Sequence, residues 1–260
     1  VNEVDKLDFI TPYNLFRALA RAEAHENLPD EIHLLPGFTG LKVQEFLNYL
    51  CSHPATRYLE IGCLHGATLL AASYGNPGKF TGVDNFSLQP GEIGLYANME
   101  KFKAVCTVDF HRADCWTIDK ALIPDDINVY FYDGDHSEES QKKALTHWID
   151  KMASEFFFIV DDWGRAEVRD GTLDALAELK TPVTAYAVLA GSVDREGCGD
   201  FNGWWAGVGI FLLRNPTNPN FRTKDILKYL EGKTDEQPTG PKPVDSRHGE
   251  HNGRADHGSL

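Results

Sequence analysis

Two acidic stretches and one histidine carry the strongest chemical signal in this sequence. Asp133-Gly134-Asp135-His136 follows one apolar run, and Asp161-Asp162-Trp163 follows the next. If those runs are neighbouring strands, Asp133 and the pair Asp161-Asp162 converge at their ends. Three carboxylates held together repel unless a cation neutralises them, and oxygen-only ligation suits Mg²⁺ or another hard divalent cation. His136 starts a helix just beyond Asp133 and is near enough to act as a general base. The competing reading makes it a solvent-facing or capping histidine. His111 and His147 read instead as a strand-end residue and a helix-face residue.

A second group of residues suits binding rather than proton transfer. Arg57 to Ala72 reads RYLEIGCLHGATLLAA: a short apolar strand, a glycine-bearing turn and the start of a helix. The glycines, Gly62 and Gly66, allow unusual backbone angles and close approach of a ligand. Leu64 stands where a dinucleotide fingerprint needs its second glycine. Glu60, at the strand end, would repel a pyrophosphate but suits a cationic or hydroxyl-rich ligand. Asp84 lies where a βαβ unit places an acid for ribose hydroxyls, or it is a turn residue with Asn85. Asp114 can accept from an exocyclic amine such as that of adenine, or cap the turn before Trp116.

The elements that must position these groups alternate along the chain. Strands are expected at about 57–61, 79–83, 106–110, 127–132, 156–160, 182–189 and 206–213. Helices are expected at about 66–74, 92–104, 137–152 and 168–179. This is an α/β fold, a doubly wound, seven-stranded and mostly parallel sheet. The last two strands lack an intervening helix and are expected as an antiparallel edge pair. Ligands of such sheets sit at the carboxyl ends of the strands. Glu60, Asp84, Asp114, Asp133 and Asp161-Asp162 all fall there. Residues 1–52 form an N-terminal helical extension, with helices at 11–26 and 41–52. It is read as a lid or dimer contact, hence a homo-oligomer, or as helices packed on the sheet edge. Residues 53–231 form the main domain. Residues 232–260, rich in Gly, Pro, Asp and His, are expected as a flexible polar tail.

Composition narrows the partners. A net charge of −14 disfavours nonspecific contact with nucleic acid or an anionic membrane. The five cysteines are scattered with no C-x-x-C pair, so neither a zinc site nor a disulfide framework is indicated. No apolar run reaches the ~18 residues of a membrane-spanning helix and no signal-peptide pattern precedes the first helix, so a cytoplasmic protein is expected. Beginning at Val1 rather than Met, the chain is expected to have a missing or processed N-terminus.

With these residues in place, the segment from about Leu35 to Arg214 resembles the Rossmann-like S-adenosylmethionine-dependent methyltransferases. LEIGCLHG is similar to that family's first motif, GVDNF to its second and FHRADCW to its adenine-reading segment. YDGDHSEE and IVDDW resemble the strand ends of its metal-dependent O-methyltransferases, above all the macrolide-sugar and cephamycin-pathway group. The resemblance implies transfer of the sulfonium methyl to a hydroxyl of a small molecule, a sugar or natural product. It assigns Thr39, Glu60, Gly62 and Gly66 to the methionine moiety, Asp84 to the ribose and Asp114 to the adenine. It assigns Asp133, Asp161 and Asp162 to the metal, with Asp133 and His136 catalytic. The chief alternative is an S-adenosylmethionine-binding partner protein that transfers no methyl group; an NAD-linked or nucleotide-sugar enzyme is a third.

Overall fold

A computed structural model describes residues 9–193 and 199–217. The expected tail, 232–260, and Cys198 lie outside the described residues. The elements are α1 (Pro12–Ala24), α2 (Asp30–His33), α3 (Leu41–Leu50), β1 (Arg57–Ile61), α4 (Ala67–Ser73), β2 (Lys79–Asp84) and α5 (Glu92–Phe102). They continue as β3 (Val108–Arg112), β4 (Ile127–Tyr132), α6 (Glu138–Trp148), β5 (Met152–Val160), α7 (Ala166–Leu179), β6 (Val183–Leu189) and β7 (Val208–Arg214).

The described strands form one seven-stranded sheet in the order β3-β2-β1-β4-β5-β7-β6. Pairing is parallel from β3 through β5, and β7 runs antiparallel between β5 and β6. The doubly wound sheet with its antiparallel edge pair is therefore as the sequence predicts. Buried residues alternate along the central strands in the manner of a pleated ribbon. Tyr58, Val129, Phe131, Phe157 and Ile159 face one core, together with Leu15 and Ala18 of α1 and Phe46 and Leu47 of α3. Leu59, Ile61, Tyr130, Tyr132, Phe158 and Val160 face the other, against Leu145 and Trp148 of α6 and Val168 of α7. The N-terminal helices thus share a core with the sheet.

Boundaries differ from expectation where the apolar pattern weakens. β3 begins two residues late, at Val108, because its half-exposed edge carries Asp109 and His111. β5 starts four residues early, at Met152, through the polar Ser154-Glu155 pair that a periodicity reading discards. The four-residue α2 behind Pro29 was not anticipated; a single turn leaves no periodic stripe to read.

The parallel ladder continues past the named strands. Gly62 N–H donates to the Val83 carbonyl (3.0 Å), Asp133 N–H to Ile61 (2.9 Å), Asp161 N–H to Tyr132 (3.1 Å) and Ala113 N–H to Asp84 (3.1 Å). These bonds align the strand ends on a single rim, which is where the acidic residues stand.

Candidate active site

A cavity of about 1070 Å³ opens along that rim. Its floor is Ile61 to Leu64 after β1, Val83 to Asn85 after β2, Ala113 to Trp116 after β3, Tyr132 to Ser137 after β4 and Asp161-Asp162 after β5. Ser87 to Gln89, Arg165 and Glu167, and Phe38 and Thr39 also line it, with Val193, Trp205 and Ala206 from the β6–β7 connection. The volume lies at the upper end of small-molecule sites, so a nucleoside-sized ligand leaves room for a second molecule.

The glycine loop is held by Asp84. Its Oδ2 accepts from the N–H groups of Cys63 and Leu64, both at 2.8 Å, and its Oδ1 from Phe86 N–H at 2.6 Å. Asp84 is therefore a strut for the loop as well as a cavity residue. Gly62 adopts φ +91°, and a Cβ there would run into the Asp133 carbonyl oxygen, so this glycine seats β4's end against the loop. Gly66, at φ +84°, leaves room only for Leu95 and does not line the cavity. Asp114 lines it while its Oδ1 accepts from Trp116 N–H at 2.7 Å, so the capping role exists alongside any ligand role.

Glu60 is turned away from the cavity. Its fully buried carboxylate accepts from Tyr58 Oη (2.5 Å) and Thr68 Oγ1 (2.8 Å). The physical reason is strand parity: residues 58 and 60 share a face, and that face looks into the α3–α4 layer. Burial pushes the Glu60 carboxyl up to about 8, despite the two hydrogen bonds that pull it down. Thr39, by contrast, lines the cavity with a buried hydroxyl that has no partner among the described residues.

Asp133, His136, Asp161 and Asp162 are brought together. His136 Nδ1 lies 3.1 Å from Asp162 Oδ2, and Nε2 makes a longer 3.5 Å contact with Asp133 Oδ1. Burial raises the Asp161 carboxyl well above its usual range, and the Asp133 and Asp162 charges add to that. Burial alone would lower His136, but its contacts with the Asp133 and Asp162 carboxylates outweigh this and bring it to about 10. Asp162 is held at φ +52°, an uncommon conformation for a non-glycine residue that favours a functional reading of the turn.

The donor types suit a hard cation, and Asp161, a residue 3% exposed, has an Oδ1 without a hydrogen-bond partner among the described residues. The arrangement is nonetheless closed by the imidazole, which takes up Asp133 and Asp162. Among the described residues no three His, Cys, Asp or Glu side chains stand together as a ready metal-ligand set. The expected convergence of the acids is present, with His136 seated among them.

Sequence reading passed over Arg165 and Glu167, at the start of α7, and Cys115 and Trp116. Arg165 directly follows the acidic turn, which was the available signal. Of the tryptophans near the rim, Trp163 and Trp204 are core residues and Trp205 lines the cavity.

No protein-family model matches the chain, and no curated protein matches it. Among solved structures it is similar to an O-methyltransferase from Bacillus cereus in complex with SAH, at 14% identity over 78% of this chain and 92% of that one (TM-score 0.49). It is similar to an SAH-bound methyltransferase from Podospora anserina, at 12% identity over 78% and 89% (TM-score 0.49). A SAM-dependent O-methyltransferase from Thermotoga maritima gives 14% identity over 68% and 66% (TM-score 0.48). Likenesses this remote concern the course of the chain and not its chemistry.

Proposed function

We propose that this protein binds S-adenosylmethionine and transfers its methyl group to a hydroxyl of a small-molecule acceptor. The observation that carries the reading is the charge of the cavity. Asp84, Asp114, Asp133, Asp135, Asp161, Asp162 and Glu167 line it, against Arg165 and His136. Such a wall repels nucleotide phosphates and attracts a sulfonium nucleoside. Leu64, where a dinucleotide site needs glycine, argues the same way. The cofactor-binding set is Thr39, Gly62, Asp84 and Asp114, with Glu60 and Gly66 supporting the loop from behind.

In the reaction, the acceptor oxygen attacks the methyl carbon as the carbon–sulfur bond breaks, and the bonding pair returns to sulfur. The hydroxyl proton passes to the Asp133 carboxylate, beside which His136, kept protonated at neutral pH by its acidic neighbours, stands as a cation. Asp162 holds the imidazole through Nδ1, and Gly62 fixes the backbone of Asp133, so the pair is positioned before the acceptor arrives.

A divalent cation is a second reading, favoured by the partnerless, buried Asp161 Oδ1. Asp133, Asp161 and Asp162 would hold it, and when bound it would lower the pKa of the acceptor hydroxyl. Isothermal titration of the full chain with Mg²⁺, with Asp161→Asn as control, tests this separately from turnover.

The function is tested by calorimetry with S-adenosylmethionine and by labelled-methyl transfer to a panel of hydroxylated acceptors. Saturable donor binding, and transfer that Asp133→Ala reduces at least a hundredfold, are expected. Donor binding without transfer to any acceptor would favour the non-catalytic partner protein. Absence of donor binding would overturn both.

A further inference from the structure

We propose that β6, the outermost strand of the sheet, is a docking edge for a second copy of this chain, which pairs with it antiparallel about a two-fold axis at Ala187. The interface depends neither on the methyl-transfer reading nor on residues 1–52.

β6 pairs with β7 on one side, and on the other its backbone has no hydrogen-bond partner among the described residues. Such an edge offers a row of N–H and C=O groups to any strand that reaches it, and proteins commonly guard it with charge. The opposite edge of this sheet is guarded in that way, since β3 carries Asp109, His111 and Arg112. β6 is not. From Thr181 to Val193 the sequence has no Asp, Glu, Lys or Arg, although such residues make up 25% of the chain. The side chains along it are open to solvent: Val183, Tyr186 and Val188 are 43%, 68% and 49% exposed.

Charge decides which partner fits. At a net −14, two copies repel over most of their surfaces, and the neutral strand is where they can meet without opposing acids. The ends of the run add attraction. Exposed Lys180 stands before it, and exposed Asp200 stands at its far end, its N–H donating to the Ser192 carbonyl at 3.0 Å. An antiparallel copy turns the basic end of each strand toward the acidic end of the other. A parallel copy would set like ends together.

The side chains agree with the axis. With Ala187 opposite itself, Tyr186 of one copy stands opposite Val188 of the other, and the same pair recurs across the axis. Aromatic and β-branched residues make favourable cross-strand partners. On the other face Ala185 stands opposite Leu189, a small side chain against a large one; both already pack on the core beneath. The contact is isologous, so each of these pairs counts twice. It joins two seven-stranded sheets edge to edge. β6 also leads into Val193 and the connection that brings Trp205 and Ala206 to the cavity, so the second copy steadies the strand from which that wall springs.

Sedimentation velocity of the full chain at ~100 μM, which populates complexes of micromolar Kd, is expected to give the dimer mass. Tyr186→Lys combined with Val188→Lys is expected to shift it to the monomer, with far-UV circular dichroism unchanged. Ala187→Cys is expected to form an intermolecular disulfide under mild oxidation, because directly opposed strand residues lie within disulfide reach. Hydrogen exchange of the parent needs no variant: β6 amides are expected to lose protection by about tenfold or more when the dimer is diluted to monomer. A parent that is monomeric at ~100 μM would overturn the proposal, as would a dimer that the paired lysines leave intact. A dimer that the lysines abolish but Ala187→Cys does not cross-link would overturn the axis at Ala187. Protected β6 amides in a monomer would mean that the chain covers its own edge. Binding of a synthetic peptide of residues 181–191 to a monomeric parent would give the edge to a foreign strand; either result would overturn the second copy.

Discussion

Glu60 and Asp133 end neighbouring parallel strands, yet one is locked into the core and the other faces the cavity. The difference has a measurable signature. Glu60 stays protonated in the folded chain up to about pH 8, against about 4.5 for the unfolded chain, because burial dominates its surroundings. Between those values the folded state binds the extra proton. Its contribution to stability is therefore full below about 4.5, declines as pH rises and is gone above about 8. Glu60→Gln keeps an uncharged partner for Tyr58 and Thr68 and removes this dependence. Urea melts at pH 5 and pH 8.5 should show the parent losing more stability than the variant; equal losses would mean the carboxyl is ionised in the core. Nothing in the sequence distinguishes the two acids. A parallel strand buried on both faces reads as continuous apolar residues, so it conceals which way a single polar side chain points. The buried His33–Glu45 pair, at 3.0 Å, was hidden for a related reason: its partners are twelve residues apart on separate elements.

At the scale of elements, the ends of the parallel strands were legible because an acid stands at or within two residues of each, and the ladder bonds carry that alignment into space. What was not legible is how the helices hold the site. α6 begins directly after His136, and α7 shortly after Asp162. They approach closely at Gly171, where a Cβ would press into the Glu138 carbonyl oxygen and Gln141 Cβ. The separation of His136 from Asp162 is thus set partly by a glycine well away from either. Gly171→Ala should cost ~1–3 kcal/mol by overpacking, against a slight gain in helix propensity. It should also lower the rate of methyl transfer more than it changes donor affinity. Chemical denaturation and single-turnover rates check the two parts, and a variant as stable and as fast as the parent would show that the helices do not set the site.

For the whole molecule, charge is the property that matters most. The net −14 of the sequence is concentrated in part on the cavity wall, so a cationic ligand is drawn in over distances set by ionic strength. S-adenosylmethionine carries the sulfonium charge and its demethylated product does not. Raising KCl from about 50 to about 500 mM, across which the Debye length falls several-fold, should weaken donor binding markedly and product binding little. Calorimetry at both salts checks this; equal dependence for the two ligands would remove electrostatic attraction from the account. The sheet's order has a consequence of a different kind, for the protein's birth. β6 leaves the ribosome before β7, yet its place in the sheet touches only β7. A nascent chain grown through Val160 already possesses the strands that carry Asp84, Asp133 and Asp161. It must keep β6 waiting, a strand with Tyr186 and Val188 outward and no neighbour to pair with, until some twenty more residues have been made. The cavity floor that follows β1 to β5 can therefore be assembled first, and Trp205 and Ala206 arrive with the closing hairpin, so synthesis itself orders the two parts of the cavity in time.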